Sequence, residues 1–195
     1  SDLDQIKAWG DSSGNGRHLS VILLNPQWEA NVKGSMPGME HGTTEGLRVG
    51  FTAQANTTIF LVWRLNSSGS FLIPLDATNS AARQAMYKNS GDAFTINSGT
   101  AQNAGTTAVG PWWIEAAVFN SGGNDSLYTN NVAVSTTLSA GNQSLDGLTI
   151  GAANDNSLNP GANHWIGEVV IYSRNLNSTE IGQLFAYLNT RWAVY

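Results

Sequence analysis

The aromatic residues carry the strongest indication of function in this sequence. Protein sites for sugars place flat apolar rings against a sugar face, while Asn, Asp or Gln side chains fix the hydroxyl groups. Trp112 and Trp113 are neighbours in a predicted strand, so their side chains point to opposite faces and one of them should face outward. The candidate ligand-binding residues are Trp28, Tyr87, Trp112, Trp113 and Tyr128. The alternative for each is a ring that caps a sheet edge or packs under a loop.

Two oxygen-rich segments make calcium the metal to consider. Asn154-Asp155-Asn156 and Asn124-Asp125 offer carboxylate and carbonyl oxygens, which are the ligands that calcium prefers. Neither segment has the several acidic residues of a strong calcium site. We therefore expect no obligatory cofactor, with Asn154 and Asp155 as the candidate ligands if calcium binds.

Groups suited to catalysis are sparse. Glu115 and Glu168 are the glutamates of the predicted strands, and neither has a second acid two residues further on. A retaining glycosidase needs two carboxyl groups about 5–5.5 Å apart. The three histidines lack metal-ligand spacing, no G-x-S-x-G motif marks a nucleophile, and the chain has no cysteine. The sequence thus predicts a protein that is not an enzyme.

The composition excludes several classes of partner. The 195 residues carry a net charge of -5 on only 12% charged residues. The nine Lys and Arg are scattered, whereas nucleic-acid binding needs them clustered, so we expect no nucleic-acid partner. No apolar run approaches the roughly 20 residues of a membrane span, and we expect no membrane partner. Since the chain starts at Ser1 without a visible signal peptide, we expect a processed protein or an excised domain.

Short apolar segments separated by turn residues predict an all-β fold. Thr57–Leu65 is the strongest central strand, and Pro74 should interrupt its own strand or place it at an edge. Segments 25–45 and 97–110 are predicted as loops. About twelve strands at this spacing, with no linker, indicate one sandwich or barrel domain over residues 1–195. Asn130-Asn131 should form a two-residue hairpin turn between two of the strands, because Asn tolerates positive φ. The predicted strands are 4–10, 17–24, 47–51, 57–65, 71–75, 82–88, 93–96, 111–119, 126–129, 132–136, 148–152 and 164–172.

The last thirty residues predict a strand, a short turn and one amphipathic helix. Asn177 is the expected N-cap, with Glu180 completing a capping box. Leu176 precedes the cap and should contact Ile181 as a hydrophobic staple. The residues with helical spacing that form one apolar face are Ile181, Leu184, Phe185, Leu188 and Trp192. The rest of the chain must supply the surface on which this helix lies.

Motifs at both ends of the chain carry a family resemblance. The first consists of Trp9, Asp11, Ser13-Gly14-Asn15-Gly16 and His18, and the second of Ile166–Tyr172, Arg174, Leu176, Glu180, Tyr187-Leu188 and Trp192. These ends resemble the laminin-G-like, concanavalin A-like jelly-roll domains of bacterial and phage proteins. The resemblance implies two packed antiparallel sheets in a jelly-roll sandwich with one short C-terminal α-helix. It implies structural roles for Ile6, Trp9, Trp165 and Trp192, and turn hydrogen bonds for Asp11 and Asn15.

The resemblance covers about fifty residues and indicates the fold more than the function, because lectins, adhesins, enzymes and virion proteins share it. The leading hypothesis is a carbohydrate-binding or adhesion module, extracellular or on a virion surface, with a glycan or another surface protein as partner. The second is a virion structural protein, such as a capsid decoration or fibre domain, without a sugar ligand. The third is a polysaccharide lyase or hydrolase. A homo-oligomer is one of the partners considered: a stable trimer or larger ring with a buried apolar patch would favour the second hypothesis, and a monomer with an open aromatic groove the first.

Overall fold

The computed structural model describes residues 4–66, 71–155 and 164–195. Within these ranges the chain forms sixteen strands and one helix. In chain order they are β1 (Asp4–Gln5), β2 (Ala8–Trp9), β3 (Leu19–Val21), β4 (Gln27–Lys33), β5 (Met36–His41), β6 (Leu47–Gln54), β7 (Thr57–Leu65), β8 (Leu72–Asp76), β9 (Ala85–Lys88), β10 (Ala93–Asn97), β11 (Ala101–Thr106), β12 (Trp112–Phe119), β13 (Asp125–Thr129), β14 (Val132–Leu138), β15 (Leu145–Ile150), β16 (His164–Tyr172) and α1 (Ser178–Trp192).

The strands form two eight-stranded sheets. Sheet A has the order β1-β4-β5-β16-β7-β12-β13-β14, and sheet B has the order β11-β10-β9-β8-β15-β6-β3-β2. Neighbouring strands are antiparallel, including the three at the centre of sheet A. The predicted two-sheet antiparallel sandwich with one C-terminal helix is confirmed. No helix in the described ranges has the length and apolar character of a membrane span.

Strand β7 is apolar along its whole length because both of its faces are covered. Leu61 and Trp63 point between the sheets, where they join the main core. Phe60 and Val62 point outward and are covered by α1. A central strand between two apolar layers has no solvent-facing positions, which explains the continuous run. The strand prediction for Thr57–Leu65 is confirmed.

Helix α1 lies on the outer face of sheet A and begins as expected. The Asn177 side chain accepts a hydrogen bond from the Glu180 N–H, and the Glu180 carboxylate accepts one from the Asn177 N–H, so the capping box is present. Leu176 and Ile181 belong to the same apolar cluster. The buried helix residues are Ile181, Phe185, Leu188 and Trp192.

Two predicted loops are wrong. Segment 25–45 contains β4 and β5, which also places Glu29 and Glu40 in strands. The pairing of β5 with β16 ends at Met39, which lies opposite Ile166. Pro37 is tolerated because it lies on the part of β5 that does not pair with β16. Segment 97–110 contains β11, an edge strand that pairs with β10 alone and therefore needs little apolar content. Both segments have the polar composition typical of loops, yet each is held by a neighbouring strand.

Pro74 interrupts the pairing of its strand, as one of its two predicted effects. The register of β8 with β9 shifts between Leu72 and Leu75, whereas β8 itself is continuous and lies inside sheet B, not at its edge. Asn130 and Asn131 join β13 to β14 with φ values of 48° and 65°. Two consecutive positive φ values are the geometry of the two-residue hairpin turn that Asn favours.

Candidate binding groove

A gap in sheet A opens the sandwich beside β16. Strand β5 pairs with β16 only over residues 164–166 of β16. The β4–β5 hairpin then turns at Gly34, which has a φ of 61°, so the described strands leave one side of β16 unpaired from Gly167 onward. At the same place the pairing of β16 with β7 shifts between Ile166 and Glu168. The edge of β16 therefore faces open space.

Two adjacent cavities occupy this space. The larger has a volume of about 490 Å³ and the smaller about 210 Å³. Trp9, Pro37 and Gly167 line both of them, and we call the two cavities together the groove. The volume of the larger cavity lies within the roughly 300–1,000 Å³ of typical ligand cavities.

Three partly exposed aromatic rings line the groove. Trp28, on β4, is 38% exposed and lies in the smaller cavity. Trp9, on β2, is half-buried and lies where the two cavities meet. Phe51, on β6, is half-buried in the larger cavity. Flat apolar surfaces are thus present along the length of the groove.

The connection between β2 and β3 forms a polar rim beside these rings. The Asp11 carboxylate accepts hydrogen bonds from the Ser13 N–H (2.8 Å) and the Arg17 N–H (2.9 Å). The Asp11 N–H donates to His18 Nδ1 at 3.0 Å, and these three bonds fold the segment into a closed turn. Hydrogen bonding by Ser13, followed by that of the Arg17 backbone, lowers the pKa of Asp11 to about 2. The predicted turn hydrogen bonds of Asp11 are confirmed.

Arg17 is the cation of this rim. Its guanidinium lies over the Phe51 ring, 4.5 Å from the ring centroid. This contact places a positive group at the wall of the larger cavity, next to exposed Ser12, Ser13 and Asn15. The rim combines hydrogen-bond donors and acceptors with an apolar wall.

Glu168 lies at the opposite wall and is held by α1. Its Oε2 accepts a hydrogen bond from Trp192 Nε1 at 2.8 Å and forms an ion pair with Arg191 Nε at 3.1 Å. The contact with Trp192 places Glu168 on the helix side of sheet A. Its carboxylate is therefore part of a network that fastens the end of α1 to β16.

Glu115, the other predicted strand glutamate, points to the opposite side of the same sheet. Its neighbours in the alternation, Trp113 and Ala117, pack in the core between the sheets. The carboxyl is fully buried and accepts a hydrogen bond from the Thr129 hydroxyl at 2.6 Å. Burial raises its pKa to about 8, against the smaller opposing effect of the Thr129 bond. Glu115 and Glu168 lie on different faces of sheet A and cannot act on one substrate as a pair.

The five predicted aromatic residues are distributed over different parts of the molecule. Only Trp28 lines the groove. Trp112 is buried against Trp192 of α1, and its neighbour Trp113 points to the core between the sheets and donates from Nε1 to the Ala108 carbonyl at 3.2 Å. Tyr87 is buried on the outer face of sheet B next to Phe71, and half-buried Tyr128 lies near Phe185. Neither buried Trp112 nor half-buried Trp113 lines the groove, because α1 packs on one face of β12 and sheet B on the other.

The predicted calcium segment is used by an arginine. Arg48 Nη2 donates to the carbonyls of Ala153 (3.3 Å) and Asn154 (2.8 Å), and the Asn154 N–H donates to Asp76 Oδ2 at 3.1 Å. A guanidinium therefore lies where the carbonyl oxygens converge. Asn156 lies outside the described residues, and Asp155 is exposed. Within the described ranges no three acidic or His side chains are grouped as metal ligands.

Several groove residues could not be identified from the sequence. The N-terminal motif predicts a packing role for Trp9. Its half-buried ring packs against the core and also lines both cavities. Arg17 and Phe51 are 34 positions apart and meet because β3 pairs with β6. Their contact has no sequence signal. The turn residues 11–16, between two predicted strands, are the feature of the sequence that indicates the rim.

Comparison with known proteins identifies structures but no family. No family model matches the chain, and no curated protein matches it by sequence. The binding domain of botulinum neurotoxin DC matches in a complex with SialylT (TM-score 0.67, 14% identity) and in a complex with rat synaptotagmin II (TM-score 0.66, 14% identity). A structure of botulinum neurotoxin type C, described through its interaction with two ganglioside molecules, matches with a TM-score of 0.64 and 15% identity.

These matches cover 94% of this chain and 51% of each neurotoxin chain, so the chain spans about half the length of the structures it resembles. At such low identity the likeness establishes the fold. The expected two-sheet sandwich is confirmed, and the specific resemblance of the terminal motifs to laminin-G and phage proteins stays a prediction.

Proposed function

We propose that this chain is a non-catalytic carbohydrate-binding module and that the groove is its binding site. The observation that carries the proposal is the arrangement of Trp28 and Trp9 in one open groove, beside a polar turn held by Asp11. Aromatic rings cover the apolar faces of sugar rings, and polar groups at the rim bind their hydroxyls. The other exposed aromatic rings described, Tyr172, Tyr187 and Tyr195, lie at the end of β16 and on or after α1.

The structural neighbours support this proposal at the level of the protein class. The binding domain of botulinum neurotoxin DC is described in complexes with SialylT and with rat synaptotagmin II, and botulinum neurotoxin type C through its interaction with two ganglioside molecules. Those descriptions refer to whole chains, of which this chain matches about half. The groove geometry, and not the neighbours' ligands, therefore decides where we place the site.

The positions of the carboxylates favour binding over catalysis. Glu115 is enclosed between the sheets, and Glu168 is engaged by Trp192 and Arg191. Glu29 and Glu40 share the face of the β4–β5 hairpin that points away from Trp28. The polysaccharide lyase or hydrolase hypothesis predicts turnover of a polysaccharide panel that is lost in Glu168→Gln, and no turnover is expected here.

We place the module at an extracellular surface, on a bacterium or a phage particle. A surface with few charges and many Asn, Ser, Thr and Gly residues suits an exposed, durable β domain. Calcium at Asn154 and Asp155 belongs to the same proposal and is tested by binding measurements with and without added calcium.

Glycan-array binding followed by calorimetry tests the proposed site. We expect at least one oligosaccharide to bind with an affinity in the millimolar range or tighter, and Trp28→Ala to weaken binding at least tenfold because the stacking surface is lost. Its melting temperature should stay near that of the wild type, since the ring is partly exposed.

Tyr195→Ala is the matched control, because Tyr195 is 52% exposed and follows the end of α1. It should bind as the wild type does. No binding at millimolar sugar, with or without calcium, would reject the module. Equal loss in the two variants would reject the groove as the site.

A further inference from the structure

The groove contains two arginines with different surroundings. Arg191 is neutralised by Glu168, with 3.1 Å between Nε and Oε2. Arg17 forms no ion pair within the described part of the chain, and no described oxygen accepts a hydrogen bond from its guanidinium. Its guanidinium lies over the Phe51 ring. A cation without a counter-charge therefore lies at the wall of the groove.

The nearby carboxylate does not neutralise Arg17. Asp11 uses both of its oxygens for backbone N–H groups, one from Ser13 and one from Arg17 itself. The bond to the Arg17 N–H fixes the backbone from which the side chain leaves. The Phe51 ring then supports the guanidinium, as aromatic faces commonly do. The side chain is held in place while its N–H donors remain available.

We propose that the groove selects acidic saccharides, and that Arg17 binds a carboxylate carried by the sugar. This inference rests on the proposed carbohydrate-binding function and names the ligand class. A guanidinium presents two parallel N–H groups that match the two oxygens of a carboxylate, so the contact gives orientation as well as attraction.

The neighbouring groups complete the selection. Trp9 and Phe51 line the same cavity as Arg17, so a sugar ring packed on an aromatic surface can carry its carboxylate to the guanidinium. The exposed Ser12, Ser13 and Asn15 lie along the same rim. Asn15 Nδ2 donates to Ser13 Oγ at 2.9 Å, and the Ser12 hydroxyl and Asn15 Oδ1 are the groups offered to sugar hydroxyls. The chain as a whole carries a net charge of -5, so this preference is a local property of the rim.

The test uses matched oligosaccharides, each offered in a neutral form, with one carboxylate and with one sulfate. We expect the wild type to bind the carboxylated form at least fivefold more tightly than the neutral form. Arg17→Gln should abolish this preference and bind both forms with the affinity of the neutral one. Arg17→Lys should retain part of the preference, because charge remains while the two-pronged contact is lost.

Arg174→Gln is the charge-matched control. Arg174 precedes α1, lies outside the groove and forms an ion pair with Glu180 of the helix. It should keep the full preference, and all variants should melt near the wild type. Three results would overturn the inference and leave the binding module intact: the wild type binds neutral and carboxylated forms equally, Arg17→Gln keeps the preference, or the wild type prefers only the sulfated form. Absence of binding to every form would overturn the proposed function itself.

Discussion

Trp112 and Trp113 illustrate what alternation in a strand does and does not predict. The two side chains do point to opposite faces of β12, as the strand period requires. Both faces are covered, however, because α1 packs on one and sheet B on the other. The exposed ring in the groove is instead Trp28, which lies in a segment that reads as a loop.

Glu115 is a buried acid that should make stability depend on pH. Its pKa is raised from 4.5 to about 8 in the folded chain, mainly by burial. The folded state therefore keeps a proton that the unfolded state releases, and this contribution is complete below pH 4.5 and is lost as the pH rises toward 8. We expect the wild type to lose up to about 1.4 kcal/mol per pH unit across this range relative to Glu115→Gln.

Urea unfolding at pH 5, 6, 7 and 8 measures this difference. Glu29→Gln, on the outward-facing side of the β4–β5 hairpin, removes a carboxylate of the same type and should run parallel to the wild type. Parallel curves for the wild type and Glu115→Gln would show that Glu115 is not a buried neutral acid.

At the scale of elements, the junction of β16 and α1 depends on Gly167. The pairing shift between Ile166 and Glu168 turns Glu168 toward α1, where it meets Trp192. The Trp192 ring lies directly over Gly167, and a Cβ at that position would overlap the ring. The absent side chain therefore allows the end of the helix to approach the strand.

Gly167→Ala should destabilise the protein by about 1–3 kcal/mol, because the added methyl group must displace a buried tryptophan. It should also alter the groove, because Gly167 and Trp192 both line the larger cavity. Gly50→Ala is the matched control, since Gly50 lies on β6 and a Cβ added there would point into open space. Thermal unfolding of the two variants compares them directly, and equal melting temperatures would contradict the proposed contact.

At the scale of the whole molecule, His41 and His164 join two parts of sheet A in the interior. They are directly opposite in the β5–β16 register, and their rings stack with centroids 5.2 Å apart. Both are fully buried. Burial, and then the proximity of His164, lowers the pKa of His41 well below 6.5.

This burial predicts acid sensitivity of the whole fold. Below pH 6.5 the unfolded chain protonates at His41 while the folded chain resists, so the contribution of His41 is present above pH 6.5 and is lost as the pH falls. Between pH 6.5 and 5 we expect a loss of up to about 1.4 kcal/mol per pH unit that His41→Gln does not show.

Urea unfolding across this range gives the two slopes. The wild type is compared with His41→Gln at each pH, so that the groups common to both proteins cancel in the difference. A wild-type slope equal to that of His41→Gln would rule out a neutral buried His41.

Much of the architecture follows from local patterns in the sequence. The alternating and continuous apolar strands, the Asn130-Asn131 turn and the capping box at Asn177 are local features with local causes, and the structure confirms them. The polar strands β4 and β11 were missed because their stability comes from hydrogen bonds to neighbours and not from their own composition.

The candidate site was predictable only in part. Trp28 and the turn of Asp11 are visible as residue types and spacing in the sequence. The groove itself exists because β5 leaves β16 at Gly167, and Arg17 meets Phe51 because β3 pairs with β6. The sequence alone determined the layers and their turns, since those depend on neighbours along the chain. Tertiary structure decided which aromatic rings are buried and that Arg17, unlike Arg191, lines the groove without an ion pair to a described residue. Burial and ion pairing depend on elements that meet only after folding.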